Sequence, residues 1–145
     1  MNKKKFKKVL VVLGGISGER SVSLESGKAC IKALKKKGYK VSTLDPKLKN
    51  FNLINKNNVD VIFNALHGRD GEDGVAQSYF EYLKIPYTHS GVISSFNAMN
   101  KINTKEIFIR NKIKTPKFLL LEKFKFKKNL IKKIINHKKI KFPIV

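Results

Sequence analysis

Glycines, an imidazole and charged side chains of both signs occur together in one short segment of this sequence, residues 67–74. The segment is His67-Gly68-Arg69-Asp70-Gly71-Glu72-Asp73-Gly74, with three glycines, one imidazole, one guanidinium and three carboxylates. An ordinary connection does not need so many glycines and charged residues within eight positions, so the segment indicates a site loop. In the structural alternative, His67 is an ordinary loop residue, while Glu72 and Asp73 cap a following helix. One imidazole with carboxylates is a poor zinc set, and nothing in the pattern places these carboxylates on a magnesium-bound phosphate.

A second glycine-rich segment, residues 14–21, lies between an apolar run and a helical pattern. Backbone N–H groups and the positive end of the helix favour an anion there. The glycines at 14, 15 and 18 match the dinucleotide-binding pattern poorly, so a purely structural turn is the alternative. Glu19 lies in the first helical turn, where the helix dipole stabilises a carboxylate. It either has no role beyond the helix or faces the crevice and accepts hydrogen bonds from a substrate ammonium.

The third segment is Ser90-Gly91-Val92-Ile93-Ser94-Ser95, followed by Asn97-Ala98-Met99-Asn100-Lys101. Lys101 is one of 29 lysines in the chain, so its residue type alone indicates no role. The sequence that flanks it is what makes Lys101 a candidate.

The elements that must position these segments alternate between strand and helix. The run Val9–Leu13 predicts a strand buried on both faces, of the kind found in parallel sheets. The other predictions are helices over 19–37 and 75–83 and short strands over 41–44, 59–63 and 85–88. Right-handed crossovers make this order an α/β fold with a Rossmann-like parallel sheet, whose site lies at the carboxyl ends of the strands.

The pattern changes beyond residue 91. A helix interrupted near Asn100 is predicted over 93–111, an extended run over 118–121 and another helical face over 130–135. The apolar run 142–145 has no room to turn back, so we expect the chain to end within a strand.

Composition limits the class of protein. With 145 residues, 48 of them Leu, Ile, Val or Phe, the chain can form a core and has room for one domain or for one domain and part of another. The net charge of +22 suggests nucleic acid, but only three of the 32 cations are Arg, so nucleic acid is not the expected partner. A lone cysteine, an apolar run too short for a signal peptide and no membrane-length apolar stretch predict a soluble, cytoplasmic protein without a membrane partner.

Taken together, the three segments resemble the N-terminal part of the D-alanine–D-alanine ligases, the ATP-grasp enzymes that make the dipeptide of bacterial peptidoglycan. Residues 14–27 resemble the family's first substrate loop and helix, and residues 67–78 match its signature loop throughout. The likeness continues in the right order through Pro86-Tyr87-Thr88, Ser90-Gly91-Val92 and Met99-Asn100-Lys101, and it weakens after about residue 111.

The resemblance implies an enzyme that activates the carboxylate of one D-alanine with ATP and Mg²⁺, as an acyl phosphate, for attack by the amine of a second D-alanine. It implies that Glu19, as the catalytic-site glutamate, helps to bind the amino group of the first D-alanine, and that Lys101 contacts nucleotide phosphates. The implied substrate-binding residues are Gly14, Gly15, Ser17, His67 and Gly68. Magnesium ligands are expected beyond residue 145. Oligomers are common in the family, so a homodimer is an open expectation for the full-length enzyme.

Two departures from the family pattern shape the prediction. Asn100 stands where the family usually has Asp, and the chain ends where the second nucleotide lysine would follow. We therefore predict a Rossmann-like substrate domain over 1–97, the beginning of an ATP-grasp domain over 98–145, and no ligase activity for this chain alone. Two alternatives stay open: a basic nucleic-acid-binding module on a ligase-like fold, and a ligase with a different second substrate such as D-lactate. The ligase interpretation requires Glu19 and His67 to meet at one cavity sized for an amino acid.

Overall fold

The computed structural model of the chain describes residues 6–120. The chain divides into two compact units, one up to Asn100 and one from Lys101 onward. The predictions for 130–135 and 142–145 lie outside the described residues, as does the last residue of the predicted extended run 118–121. Residues 118–120 of that run lie in neither a helix nor a strand.

In its described part, the first unit alternates strands and helices as the sequence predicts. Their bounds are β1 (Lys8–Val12), α1 (Arg20–Lys36), β2 (Lys40–Leu44), β3 (Val61–Asn64), α2 (Val75–Tyr82) and α3 (Val92–Met99). Two short 3-10 helices, Phe51–Leu53 and Lys56–Asn58, lie in the connection between β2 and β3. The second unit begins with α4 (Lys101–Arg110).

The three strands form one parallel sheet in the order β2-β1-β3. In the central strand, Val9 pairs with Val41 of β2 and with Val61 of β3. Residues 9–12 are at most 4% exposed, which confirms the prediction of a strand buried on both faces. Because the strands are parallel, the loops that follow them meet at one edge of the sheet, and this edge carries the candidate site.

Each face of the sheet is covered by a helix. On one face, Val9 and Val11 of β1 and the following Leu13 pack against side chains of α1: Leu24, Ile31 and Leu34. On the other face, Leu10 and Val12 belong to a cluster that includes Ala76 and Phe80 of α2. α1 approaches β1 closely at Gly27, where an added Cβ would lie 2.7 Å from Leu13 Cβ. A glycine on this helix face lets α1 reach the sheet.

The predicted strand over 85–88 is wrong as a strand, because it is reduced to a single parallel bridge between Ile62 and Tyr87. Ile62 donates its N–H to Pro86 O and accepts the N–H of Thr88. Pro86 has no N–H to donate, so the segment cannot extend a regular ladder through this position.

The predicted helix over 93–111 is confirmed as two helices, α3 and α4. The predicted interruption lies at Asn100, whose backbone is extended with ψ of 102°. The extended conformation of Asn100 ends α3, and α4 begins at the next residue.

Candidate functional site

The loop after β1 is held against the end of β3 by a buried serine. Gly14 N–H donates to Ser23 Oγ over 2.8 Å, and Ser23 Oγ donates to Ala65 O over 2.6 Å. Ser23 is completely buried in the first turn of α1. Gly14 and Gly15 have φ of 86° and 74°, the left-handed region that favours glycine. The first glycine loop is therefore fixed to both α1 and the third strand.

Asp45, the residue directly after β2, fixes the same loop from the other side. Arg20 donates from Nη1 and Nη2 to the two carboxylate oxygens of Asp45 over 2.9 and 2.6 Å. Gly15 N–H donates to Asp45 Oδ1 over 3.0 Å, and Arg20 Nη1 also donates to Gly15 O over 2.7 Å. The hydrogen bonds from Arg20, followed by those from the backbone N–H groups, lower the pKa of Asp45 despite its partial burial. The loop, the first turn of α1 and the end of β2 are thus joined as one unit.

Ser17 joins the first glycine loop to the loop at 67–74. Its Oγ donates to the carbonyl oxygen of His67 over 2.7 Å and accepts the N–H of Glu19 over 3.2 Å. One hydroxyl therefore links the backbone beside Glu19 to the backbone of His67.

The Glu19 carboxylate lies against Gly68. A Cβ added to Gly68 would lie 3.0 Å from Glu19 Oε1 and 3.3 Å from Ser17 Oγ. Gly68 is buried and has φ of 70°. Because Gly68 has no side chain and a left-handed backbone, the acidic side chain of Glu19 fits between the two loops.

His67 is held between a serine and a carboxylate. Its Nε2 lies 3.1 Å from Ser26 Oγ on α1, and its Nδ1 lies 3.9 Å from Glu72 Oε1. The other oxygen of Glu72 accepts the N–H of Gly68 over 2.9 Å. Glu72 therefore bonds within its own loop, whereas Asp73 accepts both the N–H of Asp70 in the loop and the N–H of Val75 at the start of α2. The helix-capping alternative applies to Asp73 and not to Glu72.

Two buried amides shape the rest of this loop. Asn64 Nδ2 and Gln77 Nε2 both donate to Gly71 O, over 2.9 and 2.8 Å. Asn64 Oδ1 also accepts the N–H of Leu66 over 3.2 Å. Because these amides come from the end of β3 and from α2, they tie the middle of the loop to both regular elements.

A cavity of about 370 Å³ adjoins the two loops. This volume lies within the range of small-molecule sites, roughly 300–1,000 Å³. Gly14, Gly15 and His67 are among its lining residues, but Glu19 is not. The two glycine-bearing loops meet at this edge of the sheet, as predicted, and one shared pocket for Glu19 and His67 stays a prediction. His67 lines the cavity. The Glu19 carboxylate lies beside Gly68 and Ser17, and the Glu72 carboxylate lies beside the imidazole of His67.

A family model described as the N-terminus of D-ala D-ala ligase matches residues 45–90. A curated D-alanine–D-alanine ligase of Pelagibacter ubique is 52% identical over 139 residues, which cover 96% of this chain and 45% of that relative. The chain belongs to the D-alanine–D-alanine ligase family. D-alanine–D-alanine ligase B of Mesorhizobium japonicum is 53% identical over 103 residues, 71% of this chain and 33% of its own length.

A solved structure gives the same assignment for the fold. The crystal structure of the D-alanine–D-alanine ligase of Bacillus anthracis complexed with ATP matches with a TM-score of 0.74 and 33% identity. The match covers 88% of this chain and 44% of that one. The chain thus spans less than half the length of these ligases, and its α/β fold is that of their N-terminal part.

The nucleotide and metal predictions concern residues outside this cluster. Lys101 belongs to the second unit, where it begins α4 and is exposed. Within residues 6–120, no group of three His, Cys, Asp or Glu side chains is arranged to hold a metal ion. In the same residues, no helix is both long and apolar enough to cross a membrane.

Sequence reasoning missed Asp45, Ser23 and Ser26 as parts of the site. The position of Asp45 immediately after a parallel strand is a signal that could have found it, because site residues of such folds follow strand ends. Ser23 and Ser26 carry no such signal, since serine is common on helices and only the packing of α1 shows which serines face the loops.

Proposed function

We propose that this chain forms the part of a D-alanine–D-alanine ligase that holds the first D-alanine, in a cytoplasmic step of peptidoglycan synthesis. The observation that carries the proposal is the Glu19 carboxylate beside Gly68, where an added Cβ would lie 3.0 Å from Glu19 Oε1. The ligase relatives, at 52% and 53% identity, support the reaction class. In this proposal Glu19 accepts hydrogen bonds from the ammonium of the first D-alanine.

The charges around Gly68 suit an ammonium. Glu19 Oε1 lies on one side of Gly68, and Glu72 Oε2 accepts the Gly68 N–H on another. An ammonium has three donors and one positive charge, so it gains most from carboxylate acceptors held in place beforehand. On a chain with a net charge of +22, a local pair of carboxylates also distinguishes this spot from the rest of the surface.

The remaining predicted residues act as a scaffold for that contact. Gly14 and Gly15 provide the left-handed turn, Ser17 links the two loops, and Gly68 leaves room for the carboxylate. His67 adds an imidazole next to Glu72. Holding a small zwitterion in one orientation is the main contribution that such a site makes to ligation, because effective positioning lowers the entropic cost of the reaction.

In the proposed function, Lys101 is the residue of this chain assigned to the nucleotide. ATP supplies the phosphoryl group that activates the D-alanine carboxylate, and Lys101 contacts its phosphates. The Mg²⁺ ligands are expected beyond residue 145, so no step of the proposal passes through a metal bound by the described residues.

The test is D-alanine binding by the 145-residue chain, measured by titration calorimetry or by NMR shifts. We expect Glu19→Gln to weaken D-alanine binding at least tenfold, since a charge-assisted hydrogen bond contributes about 1.5–3 kcal/mol. Glu25→Gln is the matched control, because Glu25 is an exposed carboxylate on α1, the helix that Glu19 precedes. Equal affinities of Glu19→Gln and the wild type would contradict the proposal.

A further inference from the structure

Ser26 and His67 form a hydrogen bond whose direction depends on the tautomer of the imidazole. Ser26 Oγ lies 2.9 Å from the carbonyl oxygen of Val22 and 3.1 Å from His67 Nε2. A serine hydroxyl has one hydrogen, and a carbonyl oxygen can only accept. When the hydroxyl hydrogen is directed at Val22 O, Ser26 Oγ can only accept from His67, so Nε2 must carry a proton.

The other ring nitrogen then becomes an acceptor. In a neutral imidazole with a proton on Nε2, Nδ1 has a lone pair and no hydrogen. This lone pair lies 3.9 Å from Glu72 Oε1, whose carboxylate is also only an acceptor. Two facing acceptors need a donor between them, and a ligand ammonium supplies donors to both.

We propose that Ser26 is a positioning residue of this site, which holds His67 in the Nε2–H tautomer so that Nδ1, together with Glu72, accepts hydrogen bonds from the ammonium of the bound amino acid. The inference rests on the proposed function and adds a residue from α1 that acts only through the imidazole. Glu19 and the pair formed by His67 and Glu72 then offer acceptors on either side of Gly68.

The direct test is NMR of the ring nitrogens in the 145-residue chain with ¹⁵N-labelled histidine, at mildly alkaline pH. His67→Gln identifies the His67 signals among the three histidines of the chain. We expect a protonated Nε2 and an unprotonated Nδ1 in the wild type. Ser26→Ala should convert this into a mixture of tautomers, and Ser26→Thr, which keeps a hydroxyl, should restore the single form.

Ser78→Ala is the matched control for the spectra. Ser78 Oγ donates to a backbone carbonyl of its own helix, Val75 O, over 2.7 Å, as Ser26 does to Val22 O. Its hydrogen bond does not involve His67, so the tautomer should stay unchanged. A wild-type ring protonated on Nδ1, or a Ser26→Ala ring identical to the wild type, would overturn the inference.

D-alanine titration separates this inference from the proposed function. We expect Ser26→Ala to weaken binding about threefold to tenfold, as for the loss of one net hydrogen bond, and Ser78→Ala to leave it unchanged. If D-alanine binds through Glu19 but the His67 tautomer does not depend on Ser26, only the inference fails. If D-alanine does not bind the wild type at all, the proposed function fails, and with it the ammonium contact of Nδ1.

Discussion

Ser17 Oγ donates a hydrogen bond of 2.7 Å to the carbonyl oxygen of His67, fifty residues further along the chain. The same oxygen accepts the N–H of Glu19. Because Ser17 belongs to the loop after β1 and His67 to the loop after β3, this hydroxyl couples the two strand ends that carry the candidate site. The relative positions of Glu19 and Gly68 depend on this bond.

Ser17→Ala should therefore loosen the two loops. We expect a loss of about 1 kcal/mol in the free energy of unfolding, because the mutation removes one net hydrogen bond. D-alanine affinity should fall about threefold to tenfold, since the Glu19 N–H also loses its acceptor. Urea denaturation and calorimetry measure the two effects. Ser21→Ala, an exposed serine on α1, should change neither, and equal effects of the two mutations would refute the coupling.

The ion pair between Arg20 and Asp45 should make the free energy of unfolding depend on pH. Arg20 lowers the pKa of Asp45 in the folded chain, so the carboxylate stabilises the fold above the usual aspartate pKa, about 3.9. This stabilisation should be lost as pH falls through the lowered folded pKa. Asp45→Asn lacks the contribution at every pH. We therefore expect wild type and Asp45→Asn to differ most near neutral pH and to converge in stability under acid conditions.

Chemical denaturation of both proteins from neutral pH to about pH 2.5 tests this expectation. The other carboxylates titrate in both proteins, so the difference between the two curves isolates Asp45. Glu25→Gln serves as the control, because Glu25 is exposed and should leave the curve close to that of the wild type. A stability difference between wild type and Asp45→Asn that stays constant over the whole range would be inconsistent with the ion pair.

The missing side chain of Gly27 allows α1 to pack closely on the sheet. Alanine normally stabilises a helix interior relative to glycine by up to about 1 kcal/mol. At Gly27, however, the added Cβ would lie 2.7 Å from Leu13 Cβ and 2.9 Å from Leu13 Cδ1. We expect Gly27→Ala to destabilise the chain by about 1–3 kcal/mol in urea denaturation, as overpacked cores do. Gly18→Ala, whose Cβ would meet no atom within 4 Å, should be nearly neutral.

The elements that sequence analysis predicted well are those whose packing follows from local pattern. The run Val9–Leu13 is apolar at every position, and only a central strand covered on both faces buries such a run completely. The end of the helix predicted over 19–37 is also local, since Gly38, two residues after the end of α1, has φ of 82°. The prediction of a strand over 85–88 was wrong because β-type residues indicate only an extended chain. A strand ladder also needs backbone N–H donors, and Pro86 has no N–H.

The candidate site was predictable only in part, for a similar reason. The dense charge of residues 67–74 indicated a candidate site loop, and the family resemblance selected Glu19 and His67. The contacts from Arg20 to Asp45 and from Ser26 to His67 join residues 25 and 41 positions apart. Spacing along the chain carries no information on such pairs, because they form only when the strand ends meet.

Gly68→Ala tests the closest contact between the two loops. Its φ of 70° disfavours any side chain, at a cost of roughly 1–2 kcal/mol, and the new Cβ would lie 3.0 Å from Glu19 Oε1. We expect lower stability and, because Glu19 must move, at least a tenfold loss of D-alanine affinity. Gly38→Ala has the same backbone strain, with φ of 82°, but its Cβ would meet no atom within 4 Å. Gly38→Ala should therefore lose comparable stability while it keeps its affinity. If both variants bind D-alanine as the wild type does, Glu19 does not need its place beside Gly68, and the ammonium site lies elsewhere.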